Sequence, residues 1–147
     1  MAEEEPFDMN ISELYRYFAV KIACNRIDSV EALYDYLVKG EKISVIEQKY
    51  GISRSTIRHY YHYLKLKDPN RRHLIKILKT IIANKERLSK LAIMKVENNK
   101  YSRCIIDNSL YDNNVANSHV QYYHTKYVIA IAIMLVRLGG QNGEQNK

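Results

Sequence analysis

The sequence predicts a mostly α-helical protein, on three observations. Apolar residues recur at spacings of three and four from Ile11 to Leu138. Helix-start and helix-stop residues punctuate that pattern at Asn10, Asp28, Gly40, Ser44, Gly51, Ser53 and Asp68. A content of 46% hydrophobic and 27% charged residues is ordinary for a folded soluble chain. With 147 residues there is room for one domain, or two very small ones, around a real core.

Residues 1–9 read as a disordered acidic tail. Asn10 followed by Glu13 marks a helix start, and Ile11, Leu14, Tyr15, Phe18 and Ile22 carry its apolar face to about Asn25. Asp28 followed by Glu31 repeats the capping pattern. Val30, Leu33, Tyr34, Leu37 and Val38 then form a second amphipathic helix, closed by Gly40.

The next stretch, from Ile43 to Leu64, reads as two short helices around a tight turn. Ser44 and Glu47 have the spacing of a capping box, and Ile43, Ile46 and Tyr50 share a face. Gly51 stands where a sharp turn needs positive φ. Ser53 caps a second helix whose buried stripe is Ile57, Tyr60 or Tyr61, and Leu64. Opposite that stripe lie Arg54, Ser55, Arg58, His59 and His62, donors suited to base edges and phosphates.

This segment resembles the helix-turn-helix of DNA-binding proteins, in the form found in resolvases, transposases and many small regulators. Ile46, Ile52 and Ile57 fill the apolar positions that this family sets around the turn glycine. Gly51-Ile52-Ser53-Arg54-Ser55-Thr56-Ile57 is the most specific part, and the resemblance spans about a sixth of the chain. One departure is Glu47, where the family usually has a small residue; a Glu there must lean out or the helix crossing must open. The resemblance implies that helix 53–66 reads the major groove of double-stranded DNA. Its base or near-base contacts would be Arg54, Ser55, Thr56, Arg58, His59 and His62, with Thr56 near enough to the turn to cap it or touch phosphate. Lys49, Lys65, Lys67, Arg71 and Arg72 would hold the backbone.

Charge runs the same way. The formal net charge is +7, but residues 1–38 carry 3 Lys/Arg against 8 Asp/Glu, and residues 39–79 carry 11 against 3. Positive charge therefore peaks over the two short helices and just beyond, the footprint of phosphate contact.

Asp68-Pro69 has the form of an N-cap with proline at the first helical position. A long helix is expected from Pro69 to about Asn98, with Leu74, Ile77, Leu78, Ile81, Leu88, Leu91 and Ala92 on one side, broken by Asn84 and Lys95. Such a helix serves either as a dimer seam or as an ordinary packed element. Residues 98–119, rich in Asn, Ser and Asp, read as loop with one short element near Arg103–Ile106. Val120 to Leu138 reads as a final helix, apolar on all sides through Val128–Val136 and closed by Gly139-Gly140. It must be buried nearly all round or shared between chains. The tail from Gln141 reads as disordered. The organisation expected is thus a tail to residue 9, a DNA-binding module with an extra N-terminal helix over 10–67, a helical dimerisation or packing region over 68–140, and a tail over 141–147.

Catalysis finds no support. None of the five His residues is followed three places on by Arg, as a tyrosine recombinase requires, and no Gly-rich phosphate loop is present. Most of the 13 Tyr residues fall on apolar stripes and read as core or rim. Cys24 and Cys104 form no Cys-x-x-Cys pair, so the expectation is two buried thiols in a reducing cytoplasm, with no cofactor and no metal. His59 and His62, one helical turn apart, lack a companion ligand nearby in sequence. No signal peptide is visible, and the longest apolar run is about half of a membrane span. The sequence therefore points to a cytoplasmic, homodimeric, sequence-specific DNA-binding protein, a transcriptional regulator by default. A DNA-segregation, recombination or replication accessory factor would use the same module. The rival of a different class is a protein–protein scaffold whose basic face meets an acidic partner.

Overall fold

The computed structural model describes residues 9–145, and the side chains of residues 10–140. Of the disordered acidic tail expected over residues 1–9, residues 1–8 lie outside the described residues and Met9 begins the first helix. The chain folds as a predominantly helical protein with one small sheet. Its helices are α1 (Met9–Ala23), α2 (Ile27–Leu37), α3 (Ile43–Tyr50), α4 (Arg54–Lys67), α5 (Arg72–Ala83), α6 (Lys85–Ser89), α7 (Ala116–Tyr123) and α8 (Thr125–Gln145). Strands β1 (Met94–Val96), β2 (Tyr101–Cys104) and β3 (Ser109–Asp112) form an antiparallel meander, followed by a 3-10 turn over Asn113–Val115.

Helix α1 is the central element. Its Leu14, Phe18 and Ile22 are fully buried, and it packs against α2, α4, α5, α7 and α8. The main core joins these side chains to Leu74, Ile77 and Ile81 of α5 and to Val128, Ile131 and Leu135 of α8. The N-terminal helix thus buries its face within its own chain, and its core continues past residue 67. A second, small cluster of Ala32, Ile46 and Ile57 holds α3 and α4 on α2.

The long helix expected over 69–98 is replaced by three elements. Asp68 is buried, ends α4, and its Oδ2 accepts from the backbone N–H of Leu74 at 2.8 Å. It serves α5 as an N-cap would, but from six residues away, because the chain first turns through Arg71 at φ +63°. Asn84 ends α5 at φ −118° and ψ 27°, its side-chain amide donating to the Thr80 carbonyl at 2.8 Å beside its own backbone N–H at 3.2 Å. After α6 the chain becomes β1, whose start is tied to α1 by Ile93 N–H donating to Ala23 O at 2.8 Å. The stripe on α5 is covered by α2 and α8, which removes it as a seam between chains.

The loop expected over 98–119 is the rest of the sheet and α7. Met94 pairs with Cys104, and Cys104 with Ser109. The Asn-rich stretches read as loop are its turns: Asn98 Oδ1 accepts from Lys100 and Tyr101 N–H groups, both at 2.8 Å, and Asn108 adopts φ +61°.

The final helix is split at His124, whose φ of −128° and ψ of 42° leave helical space, and it does not stop at Gly139-Gly140. Gly139 is buried where α8 crosses α5; a Cβ there would stand 3.3 Å from Lys76 Cε and 3.5 Å from Thr80 Oγ1. The pair reads as a stop signal, yet one of its glycines serves close packing. The backbone of α8 also runs on through most of the expected C-terminal tail. Among the described residues no helix is long and apolar enough to cross a membrane. Nine of the 13 tyrosines, Tyr17 and Tyr60 among them, are half-buried rim residues.

Candidate nucleic-acid interface

The orientation of α4 is fixed at its N-terminus. Gly51 closes α3 in the left-handed conformation, φ 67° and ψ 26°, its N–H donating to Glu47 O at 2.9 Å. Ser53 caps α4 as its sequence suggests, accepting from Thr56 N–H at 3.2 Å. The capping box expected from Ser44 and Glu47 does not form. Helix α3 starts two residues earlier than that cap requires, with Lys42 at the cap position and no side-chain cap bond.

Glu47 leans across the turn instead. Its Oε2 accepts from the Arg54 backbone N–H at 2.8 Å, and its Oε1 accepts from Arg54 Nη2 at 3.0 Å and Nε at 3.2 Å. This fork neutralises the first residue of α4 and occupies the helix N-terminus that could otherwise meet a phosphate. The Arg54 hydrogen bonds hold the Glu47 carboxyl below its ordinary value, and Glu47 raises Arg54 in turn. Arg54, expected as a base contact, is a strut within the fold.

Three more of the expected contact residues are engaged within the chain. Lys49 donates to the buried Asp35 carboxylate at 3.2 Å, beside a Tyr50 hydroxyl that donates to the same oxygen at 2.8 Å. That hydroxyl is raised by burial and by Asp35. Lys67 pairs with Glu13 of α1, and Arg71 donates to the Tyr61 hydroxyl at 3.4 Å. Thr56 sits at the turn with its Oγ1 2.8 Å from Ser53 Oγ.

The outer face of α4 is left to Ser55, Arg58, His59, His62 and Lys65, all exposed and, among the described residues, in no ion pair with a carboxylate. Ser55 Oγ lies 3.2 Å from Ser53 Oγ, and Lys65 stands 5.9 Å from the Tyr61 ring centre. Arg72 is exposed at the start of α5. His59 also lines a cleft of about 590 Å³ between α1, α4 and α7. Arg16, Lys21 and Lys67 line it too, and Glu13 is its one carboxylate. Lys21 is buried there with its ammonium 4.2 Å from the Tyr60 ring centre. The Tyr17 hydroxyl is buried without a hydrogen-bond partner, and burial raises its pKa. The described cations on this side of the molecule therefore run from the α4 face into a concave, cationic cleft.

A second constellation escaped the sequence reading. Cys104, Asp107, His119 and His124 bring one ligand-type atom each to within 4.8 Å of one another. Cys104 and His119 are buried, and burial lowers His119 toward the neutral imidazole against the pull of Asp107. The available signal was Cys-x-x-Asp followed by His-x4-His, overlooked because the intervening residues read as loop. His59 and His62 are not part of this cluster.

Comparison with protein-family models, with curated proteins and with solved structures finds no match.

Proposed function

We propose that the chain is a sequence-specific double-stranded DNA-binding protein, a dimeric transcriptional regulator that reads the major groove with α4 through a helix-turn-helix formed by α3 and α4. The observation that carries this reading is the outer face of α4. Ser55, Arg58, His59, His62 and Lys65 recur there at helical spacing, exposed and in no ion pair among the described residues, on a helix held by a glycine turn and a serine cap. Donors presented on a rigid exposed helix suit base edges and phosphates. Arg58 and His62 are the base-reading candidates, with Lys65, Arg71 and Arg72 along the backbone. Arg54, Lys49 and Lys67 move to structural roles.

The dimer belongs on α8. Its buried stripe faces α1 and α5, while Ile129, Ile133 and Val136, one turn apart, are 41%, 46% and 50% exposed. A second copy packed on this stripe would cover it. A segregation or recombination accessory role would use the same surfaces.

Selection of bound duplexes from a random pool at about 150 mM salt tests the reading. A two-fold symmetric motif with half-sites one helical turn apart, about 34 Å, is the expected result. Absence of any enriched sequence would overturn it in favour of a scaffold whose basic face meets an acidic protein.

A further inference from the structure

Cys104, Asp107, His119 and His124 follow the spacing Cys-x2-Asp-x11-His-x4-His. Zinc-binding units built from a hairpin and a helix space their ligands as Cys-x2–4-Cys, about twelve residues, then His-x3–5-His. Here a carboxylate stands in place of the second thiolate. The topology agrees with the spacing. Cys104 ends β2, Asp107 lies in the turn to β3, His119 is on α7, and His124 is the residue at which α7 gives way to α8.

The four side chains stand close enough to share one ion, with their ligand atoms within 4.8 Å of one another. Cys104 Sγ lies 3.5 Å from His124 Nε2, and Asp107 Oδ1 lies 3.6 Å from the same nitrogen. His119 Nε2 lies 2.9 Å from Asp107 Oδ2. Bonds of about 2.0–2.3 Å to a tetrahedral ion separate its ligand atoms by about 3.3–3.8 Å. The closest pair is the most telling. His119 Nε2 is buried and has no hydrogen-bond partner, although a carboxylate oxygen stands at 2.9 Å. A buried nitrogen left without a well-formed hydrogen bond and set beside a carboxylate oxygen is a donor that a shared metal ion can use.

We propose that Cys104, Asp107, His119 and His124 bind one zinc ion, which fastens the β2–β3 hairpin to the α7–α8 junction. On binding, the Cys104 thiol loses its proton to solvent, one proton per ion. Thiolate and carboxylate then cancel the double charge of the metal, and a neutral site is one that a half-buried pocket accommodates. Sulfur and imidazole donors select zinc over magnesium or calcium. Four protein ligands leave no open position for water, so the site is structural and performs no hydrolysis. Neighbouring groups hold the ligands in place. Tyr111 donates its hydroxyl to Asp107 Oδ2 at 3.0 Å and stacks on His119 with ring centres 3.9 Å apart, while Tyr123 flanks the other side at 5.4 Å. The site shares no residue with the α4 face, so zinc binding and DNA recognition stand or fall separately.

The test is elemental analysis of the full chain purified without chelator, followed by exchange of zinc for cobalt(II). One zinc per chain is expected. The cobalt form should show the intense visible bands of tetrahedral geometry and a near-ultraviolet thiolate-to-cobalt band. Cys104→Ser should remove the thiolate band, and Cys24→Ser should keep it. Should Cys104→Ser fail to fold, Asp107→Cys decides: it should retain one metal per chain and strengthen the thiolate band. Substoichiometric zinc with no thiolate band in the wild-type chain would overturn the site. So would a band that survives in Cys104→Ser, or one that Asp107→Cys leaves unchanged.

Discussion

Glu47 holds Arg54 across the Gly51 turn by both backbone and guanidinium, so the first residue of the exposed helix is spent on the fold rather than offered to a ligand. The glutamate at position 47 and the engagement of Arg54 within the fold are one event. Replacing Glu47 with Gln should free Arg54, raise affinity for DNA of any sequence, and steepen the salt dependence of binding by about one unit of slope. Fluorescence anisotropy across a salt series measures this; an unchanged slope would show that Arg54 stays bound without the charge.

The same pair sets a pH dependence. Arg54 lowers the Glu47 carboxyl from its ordinary 4.5, so the stabilisation is present above that value and is lost as pH falls through the lower folded-state value. Thermal midpoints taken from about pH 6 down to about pH 3 should fall less in Glu47→Gln than in the wild-type chain. Parallel curves would remove the Glu47–Arg54 pair as a source of acid sensitivity.

Arg58 and Lys67 lie on the same helix and should behave differently. Arg58 is exposed and in no ion pair among the described residues, so Arg58→Ala should cost roughly 1–3 kcal/mol of specific binding and relax preference at one base pair. Lys67 is already neutralised by Glu13, so Lys67→Ala should leave the salt slope nearly unchanged, whereas Lys65→Ala should lower it by about one. Equal slopes for the two lysine variants would return Lys67 to the phosphate-binding set.

Two glycines should respond to alanine with opposite signs. Gly51 has φ +67°, where a Cβ is strained whatever the space, so Gly51→Ala should destabilise by about 1–2 kcal/mol. Gly139 lies inside α8, and the nearest obstacle to a Cβ is Lys76 Cε at 3.3 Å, on a flexible side chain that can give way. Gly139→Ala should therefore stabilise by about 0.5–1 kcal/mol through helix propensity. Urea midpoints decide both, and a destabilised Gly139→Ala would mean that Lys76 is fixed.

What was legible in the sequence was local. Ser53, Gly51 and the stripes Leu14–Phe18–Ile22 and Leu74–Ile77–Ile81 act within a few residues, and each does in the structure what its chemistry suggests. The errors came where partners lie far apart. The apolar spacing around Leu88 continues a helical pattern, but the backbone leaves helical space at Asn84, φ −118° and ψ 27°, and α5 ends there. Strands of three or four residues carry too little alternation to be seen, and their Asn-rich turns read as loop. The ion pairs of Lys49 with Asp35 and of Lys67 with Glu13 join different helices, so no spacing on α4 could reveal which cations are free. The cluster around Cys104 and His124 was hidden for the same reason: its halves meet only once the sheet has formed.

The proposed dimer would rest on a stripe that is separable from the core. Ile133 is 46% exposed, and its neighbours Ala132 and Leu135 point into the α1–α5–α8 core. A charge at position 133 should therefore leave the fold intact and oppose burial of the stripe against a second copy, since an unpaired buried charge is far costlier than an exposed one. Ile133→Glu should yield a folded monomer by sedimentation velocity, with a far-ultraviolet circular dichroism spectrum like that of the wild-type chain. In the duplex selection it should replace a two-fold symmetric motif with a single half-site at lower affinity, because two linked readers lose the gain of simultaneous engagement when they separate. A wild-type chain that sediments as a monomer would remove the α8 interface, and a dimer that persists in Ile133→Glu would move the seam to another surface.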